Sequence, residues 1–355
     1  MIPNWRAARD VPIDILRGTG VIFMVFAYMG YFCFDFPHPY PVQFLGGFAP
    51  VIFLFLSGYM LTSEFNEKIR PFSYFFKRSL FLFLLAGIVD VLFWDVYPFL
   101  SMNILYPIAV STLLIYPILS APESFRVALV IIIFLLTPIF QSTTGYHATP
   151  PEVLLFRKGV LVPLQVGLSE WIHRWFIDGW FPLFPFFGFS LLGTFWGKIR
   201  NSYQLKIRED HKLFYIFSVT LFCVGLLLLQ FETEIAFRGN FSGILFPPGL
   251  GYIFFILGVL AIWARVLEIR ANSILLLPIR LLGESSLLFY IFTVVIMKKI
   301  IEPIREKNSG EFNFSEYLAT GVGILVFFLI TSLFLRYFKR RMKNPPVLLR
   351  LFIGG

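Results

Sequence analysis

Apolar runs of about 20 residues follow one another along nearly the whole chain, separated by short polar stretches. They fall at roughly 12–33, 43–62, 75–94, 102–120, 124–141, 180–198, 212–231, 246–267, 277–298 and 314–337. Each can cross a hydrocarbon layer about 30 Å thick. Inside a bilayer the backbone must pair its own polar groups, so an unbroken apolar run of that length predicts a helix. The expected fold is all-α: a polytopic membrane bundle of about ten transmembrane helices, forming a single domain over residues 1–355. No repeat or low-complexity segment divides it.

Composition agrees with the pattern. Of 355 residues, 57% are hydrophobic and only 14% charged, against about 25% charged in a soluble domain; the mean hydropathy is +0.77. The first apolar run is too long for a cleaved signal and lacks a small-residue cleavage site, so it reads as a signal-anchor helix. Cys33 and Cys223 both sit inside apolar runs, which argues against a disulfide framework or a cysteine metal site. The net charge of +9 reads as membrane anchoring rather than as a nucleic-acid surface.

The distribution of Lys and Arg orients the chain. Arg6 and Arg9, then Lys68, Arg70, Lys77 and Arg78, then Lys198, Arg200, Lys206, Arg208 and Lys212 fall on one side of a ten-span topology. Arg265, Arg270 and the tail residues Lys339, Arg340, Arg341, Lys343 and Arg350 fall there too. Both termini are therefore expected in the cytoplasm. One outer loop is discordant, with Lys298, Lys299, Arg305 and Lys307, but it also carries Glu302, Glu306 and Glu311.

Ionisable groups at membrane depth are costly and mark candidate sites. Asp14 and Arg17 are three apart, share a helix face and can pair. Arg17 is either a bidentate clamp for the phosphates of a nucleotide-containing donor or a snorkelling interfacial arginine. Arg78 could add a second charge to the same cytoplasmic vestibule, or simply anchor the third span. His38 lies in the short outer loop between the first two spans, with Pro37 and Pro39 restricting its backbone. Its imidazole could take a proton from an attacking hydroxyl or amine, or act as the nucleophile. Asp90, Asn103 and Glu284 either line a cavity or hydrogen-bond between helices.

The long outer stretch 142–179 contains Tyr146, His147, Trp171, His173, Arg174, Trp175 and Asp178. Aromatic faces with interspersed polar groups suit a sugar. The competing reading is an amphipathic helix over 153–176 lying in the interface. No Gly-rich phosphate loop, zinc-spaced ligand set or nucleophile-elbow serine is present, and no metal is expected.

Several of these segments together resemble a known family. Ile13-Asp14-Ile15-Leu16-Arg17-Gly18 is similar to the first helix of the heparan-alpha-glucosaminide N-acetyltransferase family and its bacterial relatives, within the wider transmembrane acyltransferase superfamily. Ala49-Pro50-x-x-Phe53-x-Phe55-x-Ser57-Gly58 resembles its second helix, and Asn103-Ile104-Leu105-Tyr106 stands in place of an Ile-Leu-His-type motif. Phe181 to Gly188, with Gly193, resembles its Pro-Leu-x-Pro-Trp-x-Gly segment. Leu282 to Tyr290 resembles its late Gly-x-x-Ser-Leu-x-x-Tyr helix. Tyr28, Tyr106 and Thr293 stand where many relatives have histidines. His38 stands in the place of the functional loop histidine of the heparan-type branch.

The resemblance implies an acyltransferase. Acetyl-CoA or another acyl-CoA would bind from the cytoplasm at Arg17, Asp14 and Arg78, and a sugar or glycan acceptor would meet His38 outside. Trp171, His173, Arg174 and Asp178 are the candidate acceptor-binding residues. The default location is a bacterial plasma (inner) membrane, and oligomeric state is open. Two other readings are a transporter or flippase, and an inactive relative serving as an assembly partner. The missing histidines favour the latter; the lack of an internal repeat weighs against the former.

Overall fold

Proline and glycine punctuation, set against long apolar runs, decides where helices begin and stop. In the computed structural model the described residues are 10–35, 38–66, 71–145, 154–157, 160–164, 166–203, 211–231, 249–308 and 312–341. The helices are α1 (Val11–Cys33), α2 (Tyr40–Asn66), α3 (Phe72–Val89), α4 (Leu105–Ile118), α5 (Glu123–Thr144), α6 (Leu168–His173), α7 (Leu183–Tyr203), α8 (His211–Phe231), α9 (Leu250–Arg270), α10 (Leu277–Gly283), α11 (Ser286–Ile296), α12 (Glu302–Asn308) and α13 (Phe314–Arg341). Three π-helical turns extend α3, α6 and α11, at Asp90–Trp94, Arg174–Asp178 and Met297–Ile301.

Six helices among the described residues are long and apolar enough to cross a membrane: Val11–Cys33, Pro41–Ser63, Glu123–Thr144, Phe214–Phe231, Leu250–Arg270 and Phe314–Phe338. A seventh arises if Leu168–Asp178 and Leu183–Trp196, bent by 46°, form one broken span. The chain is an integral membrane protein. The expected span 102–120 is the shorter helix α4, and the expected span 277–298 is broken. Its helix stops at Gly283, passes through Glu284 and a non-helical Ser285 (φ −137°, ψ 39°), and restarts as α11.

Much of the basic signal used for orientation lies outside the described residues or side chains: Arg6, Arg9, Lys68, Arg70, Lys198, Arg200, Lys206, Arg208, Lys212, Lys339, Arg340, Lys343 and Arg350. Tyr146, His147 and Pro37 lie outside as well. Two of the four discordant cations are locally matched. Lys298 pairs with Glu302 at 2.9 Å, and Arg305 pairs with Asp35.

The chain divides into two compact units. One comprises Met1–Ile52 with Val259–Gly355, the other Phe53–Gly258. In the first, α1 packs on α10, α11 and α13. Two glycines let α1 and α10 touch backbone to backbone. A Cβ on Gly18 would stand 1.8 Å from the Ile279 carbonyl oxygen, and one on Gly283 would stand 1.7 Å from that of Asp14. Small residues at such crossings are how membrane helices gain dispersion contact without a hydrophobic driving force. Stacked Phe289 and Phe328, centroids 4.6 Å apart, join α11 to α13.

In the second unit α3 packs on α4, α4 on α7, and α5 on α7. The later half of α2 meets α7 through Gly58 and Gly193, with Ser57 and Ser190 hydroxyls 3.3 Å apart. The stretch read as an interfacial helix over 153–176 is corrected here. Phe156–Arg157 (β1) and Val160–Leu161 (β2) form a small antiparallel hairpin, and helix begins only at Leu168. Val160, Val162, Pro163 and Gly167 oppose helix: β-branched residues favour extended backbone, and proline breaks the hydrogen-bond ladder.

Gly18→Ala places a methyl group into the α10 backbone and is expected to destabilise the protein by about 1–3 kcal/mol, the usual cost of overpacking. Thermal unfolding in detergent measures it. Gly323→Ala, where nothing lies within 4 Å of the added Cβ, is the control expected to change little.

Candidate active site

Three polar constellations interrupt the apolar interior. The first is at the start of α1. Asp14 is buried, and its Oδ1 accepts from Arg17 Nη1 at 3.3 Å. The pair is the one that the three-residue spacing predicts. Asp14 is set by the tight α1–α10 crossing, since its carbonyl faces Gly283. The next residue of that connection, Glu284, is buried and pairs with Arg336 of α13 at 3.2 Å. Arg17 is only partly buried.

The second constellation lies at the other end of α1. His38 is 6% exposed, and its carbonyl accepts a 2.6 Å hydrogen bond from Gln43 Nε2. The Tyr31 ring meets the imidazole edge to face at 6.5 Å. Around it the α1 terminus is fastened: Arg305 donates to the Phe32 carbonyl at 3.2 Å and pairs with Asp35, and the Phe312 amide donates to the Cys33 carbonyl at 3.1 Å. The sequence does not single out Gln43 or Asp35, and it marks Arg305 only as a discordant basic charge. Their contacts with this loop join residues 5 to about 270 positions apart.

The third, in the second unit, is centred on Asp90. Its Oδ1 accepts from Ser101 Oγ at 2.6 Å and Asn103 Nδ2 at 2.8 Å, and its Oδ2 accepts from Tyr106 Oη at 2.6 Å. Tyr106 in turn accepts from the Phe99 amide at 2.8 Å. Asp95, Phe99 and Met102 all hold positive φ (52°, 70° and 53°), a conformation rare for residues other than glycine. The Asp90 carboxylate thus anchors a loop whose backbone is held in costly geometry. Trp175 Nε1 donates to the Phe99 carbonyl at 2.8 Å, and Leu155 donates to Asp95 at 2.7 Å. The alternative left open for Asp90 and Asn103 resolves toward helix–helix and helix–loop hydrogen bonding.

The aromatic residues of α6 and its π-helical turn extend from this hub. Trp175 lies against Tyr106 and Phe83, with centroids 5.7 Å away, and against Trp171 at 5.2 Å. Trp171 is exposed, whereas Arg174 and Asp178 are buried. Arg174 donates to Glu170 at 2.9 Å. His173 Nε2 is 3.1 Å from Thr144 Oγ1, and its Nδ1 is 4.0 Å from Asp178. Of the four candidate acceptor residues, only Trp171 offers a broad open face. Arg78 lies in the second turn of α3, half-buried.

A family model described as heparan-alpha-glucosaminide N-acetyltransferase, catalytic, matches residues 9–228. The chain belongs to that family. No curated protein matches the chain. The match to the N-acetyltransferase catalytic family takes in all three regions that hold Asp14–Arg17, His38 and the Asp90 hub. It identifies a membrane acyltransferase type and agrees with the resemblance carried by the first two helices. The three residues that the resemblance sets against histidines of many relatives make other contacts here. Tyr106 bonds Asp90, Thr293 donates to the Phe289 carbonyl at 2.7 Å, and Tyr28 packs against Tyr290 at 6.4 Å.

Tyr106→Phe removes one donor to Asp90 and the acceptor of the Phe99 amide. A loss of about 1–3 kcal/mol is expected for the buried groups left unsatisfied. Asp90→Asn combined with Tyr106→Phe should cost less than the sum of the two single changes, measurable as a double-mutant cycle of unfolding.

Proposed function

We propose that this protein is a membrane acetyltransferase that moves the acetyl group of acyl-CoA, bound from the cytoplasm, to a sugar or glycan acceptor on the opposite face. The observation that carries the reading is the layout of α1. From Asp14 to Cys33, 19 residues at about 1.5 Å each give about 28 Å, close to the hydrocarbon thickness of about 30 Å. One helix therefore holds a cation–carboxylate pair at one membrane surface and delivers the His38 loop at the other. Ten crossings with both termini cytoplasmic fit this reading. The six long helices are joined by the bent α6–α7 pair, α3, α4 and the broken α10–α11.

Arg17 and Arg78 are the proposed cations for the donor's phosphates, because guanidinium matches phosphate oxygens bidentately. Asp14 holds Arg17 in place. The pantetheine arm, largely uncharged, then extends into the apolar interior. At His38 the acceptor's hydroxyl or amine gives its proton to the imidazole as it attacks the thioester carbonyl. The C–S bond breaks as the C–O or C–N bond forms, and the imidazolium returns the proton to the departing thiolate. A second route carries the acetyl group on the imidazole between two transfers. Burial of His38 supports either, since it keeps water from hydrolysing the acyl group. Trp171, with His173, Arg174 and Asp178 behind it, is the proposed acceptor platform. Its exposed indole suits the C–H face of a sugar ring.

One set of observations favours a second reading, a catalytically inactive relative that assists assembly. Tyr106 and Thr293, in place of family histidines, serve hydrogen bonds within the fold.

The deciding experiment incubates purified protein in neutral-lipid nanodiscs with radiolabelled acetyl-CoA and membrane glycans. Wild type should transfer label, and His38→Ala should lose at least about 100-fold in rate, the contribution of a positioned acid–base group. Arg17→Gln should raise the KM for acetyl-CoA with a smaller effect on kcat. Transfer by His38→Ala at the wild-type rate removes His38 from the mechanism. Donor binding without turnover in wild type selects the inactive relative.

A further inference from the structure

One buried cation among the described residues has no carboxylate partner. Arg126, in the first turn of α5, is 5% exposed. Its guanidinium carbon stands 5.3 Å over the Phe195 ring of α7. Its Nε makes no hydrogen bond, and no carboxylate among the described residues pairs with it. An arginine cannot shed its proton to escape this position. The cation–π contact recovers only part of the lost hydration. The setting adds to the mismatch. α5 begins after Pro122 with no side-chain cap and carries Glu123 in its first turn; Arg126 belongs to the same turn, whose leading amides have no partner within the helix. An uncapped helix start and a largely buried arginine with no carboxylate partner among the described residues are both complementary to the same thing, an oxyanion.

We infer that the first turn of α5, with Arg126 as its principal ligand and Phe195 as its floor, is a phosphate-binding site. The chemistry fits a phosphate or pyrophosphate group, whose oxygens take the guanidinium fork while the amides of Glu123 to Phe125 supply further donors. Two sources carry that group: the acyl donor and an anionic lipid headgroup. Enclosure of the side chain against α7, rather than extension to the surface, favours the donor. That assignment rests on the proposed acyl-CoA reading, whose topology puts the start of α5 on the cytoplasmic side.

The test uses full-length protein in phosphatidylcholine nanodiscs, as wild type, Arg126→Met and Arg126→Lys. Arg126→Met should raise the melting temperature of the ligand-free protein, because it removes an uncompensated buried charge. It should weaken acetyl-CoA binding at least tenfold and leave the binding of phosphate-free S-acetylpantetheine unchanged, with Arg126→Lys intermediate. Inorganic pyrophosphate should stabilise wild type and not Arg126→Met. That result upholds the site even if acetyl-CoA binds neither protein, in which case the donor reading fails instead. If donor affinity is unaltered but stabilisation by added phosphatidylglycerol disappears in Arg126→Met, the bound phosphate belongs to lipid. A lower melting temperature with acetyl-CoA, pyrophosphate and phosphatidylglycerol all bound as in wild type makes Arg126 a structural residue and overturns the inference. So does no change in any readout. Should Arg126→Met fail to fold, Arg126→Lys and Phe195→Leu carry the same comparison, each expected to weaken pyrophosphate binding.

Discussion

A charge or strong hydrogen-bonding group held in hydrocarbon must find its partner within the protein, and the polar organisation of this molecule follows from that requirement. Asp14 is held by Arg17, Glu284 by Arg336, and Asp90 by Ser101, Asn103 and Tyr106. Each of these pairings also locates a stretch of backbone that would otherwise be free to shift. Asp14 sits at the closest crossing of α1 with α10. Asp90 holds a loop with three residues in the left-handed region. Arg126 is conspicuous because it does not follow the rule within the protein, which is why its compensation is sought in a ligand.

Backbone irregularity accompanies the polar groups. The π-helical turns at Asp90–Trp94 and Arg174–Asp178 lie on either side of the hub and its aromatic extension. The break at Glu284–Ser285 lies against Asp14. Regular helix satisfies every backbone group by itself. Departures from it persist in a membrane only where side chains or other backbone take up the released groups. The amide of Phe99 goes to Tyr106, and that of Val96 goes to the Asp90 carbonyl. Membership of the N-acetyltransferase catalytic family gives these features a chemical context: on the proposed reading, a donor and an acceptor meeting across a bilayer need rigid supports at both surfaces. The α1 helix, clamped by α10 near one end and by Arg305 and Phe312 at the other, provides one such support.

What the sequence determined by itself was set by local pattern. The runs at 12–33, 124–141, 212–231 and 314–337 became long helices because apolar length in a membrane admits little else. The Asp14–Arg17 pair was legible from its three-residue spacing, since a single helix fixes which residues adjoin. The family was readable because its signatures are short, contiguous segments. Tertiary structure alone decided the rest. The fate of Asp90 depended on partners 11 to 16 residues away, across a loop whose positive-φ residues carry no glycine signal. The break in the ninth span depended on the approach of α1 to Gly283, and the extended backbone at Leu154–Leu155, just before the hairpin, on its pairing with the loop at Asp95–Val96. Enclosure of Arg126 depended on Phe195, 69 positions away on another helix. Local spacing specifies neighbours along one helix. Which buried charge meets a partner, and which does not, is settled only when separate helices pack.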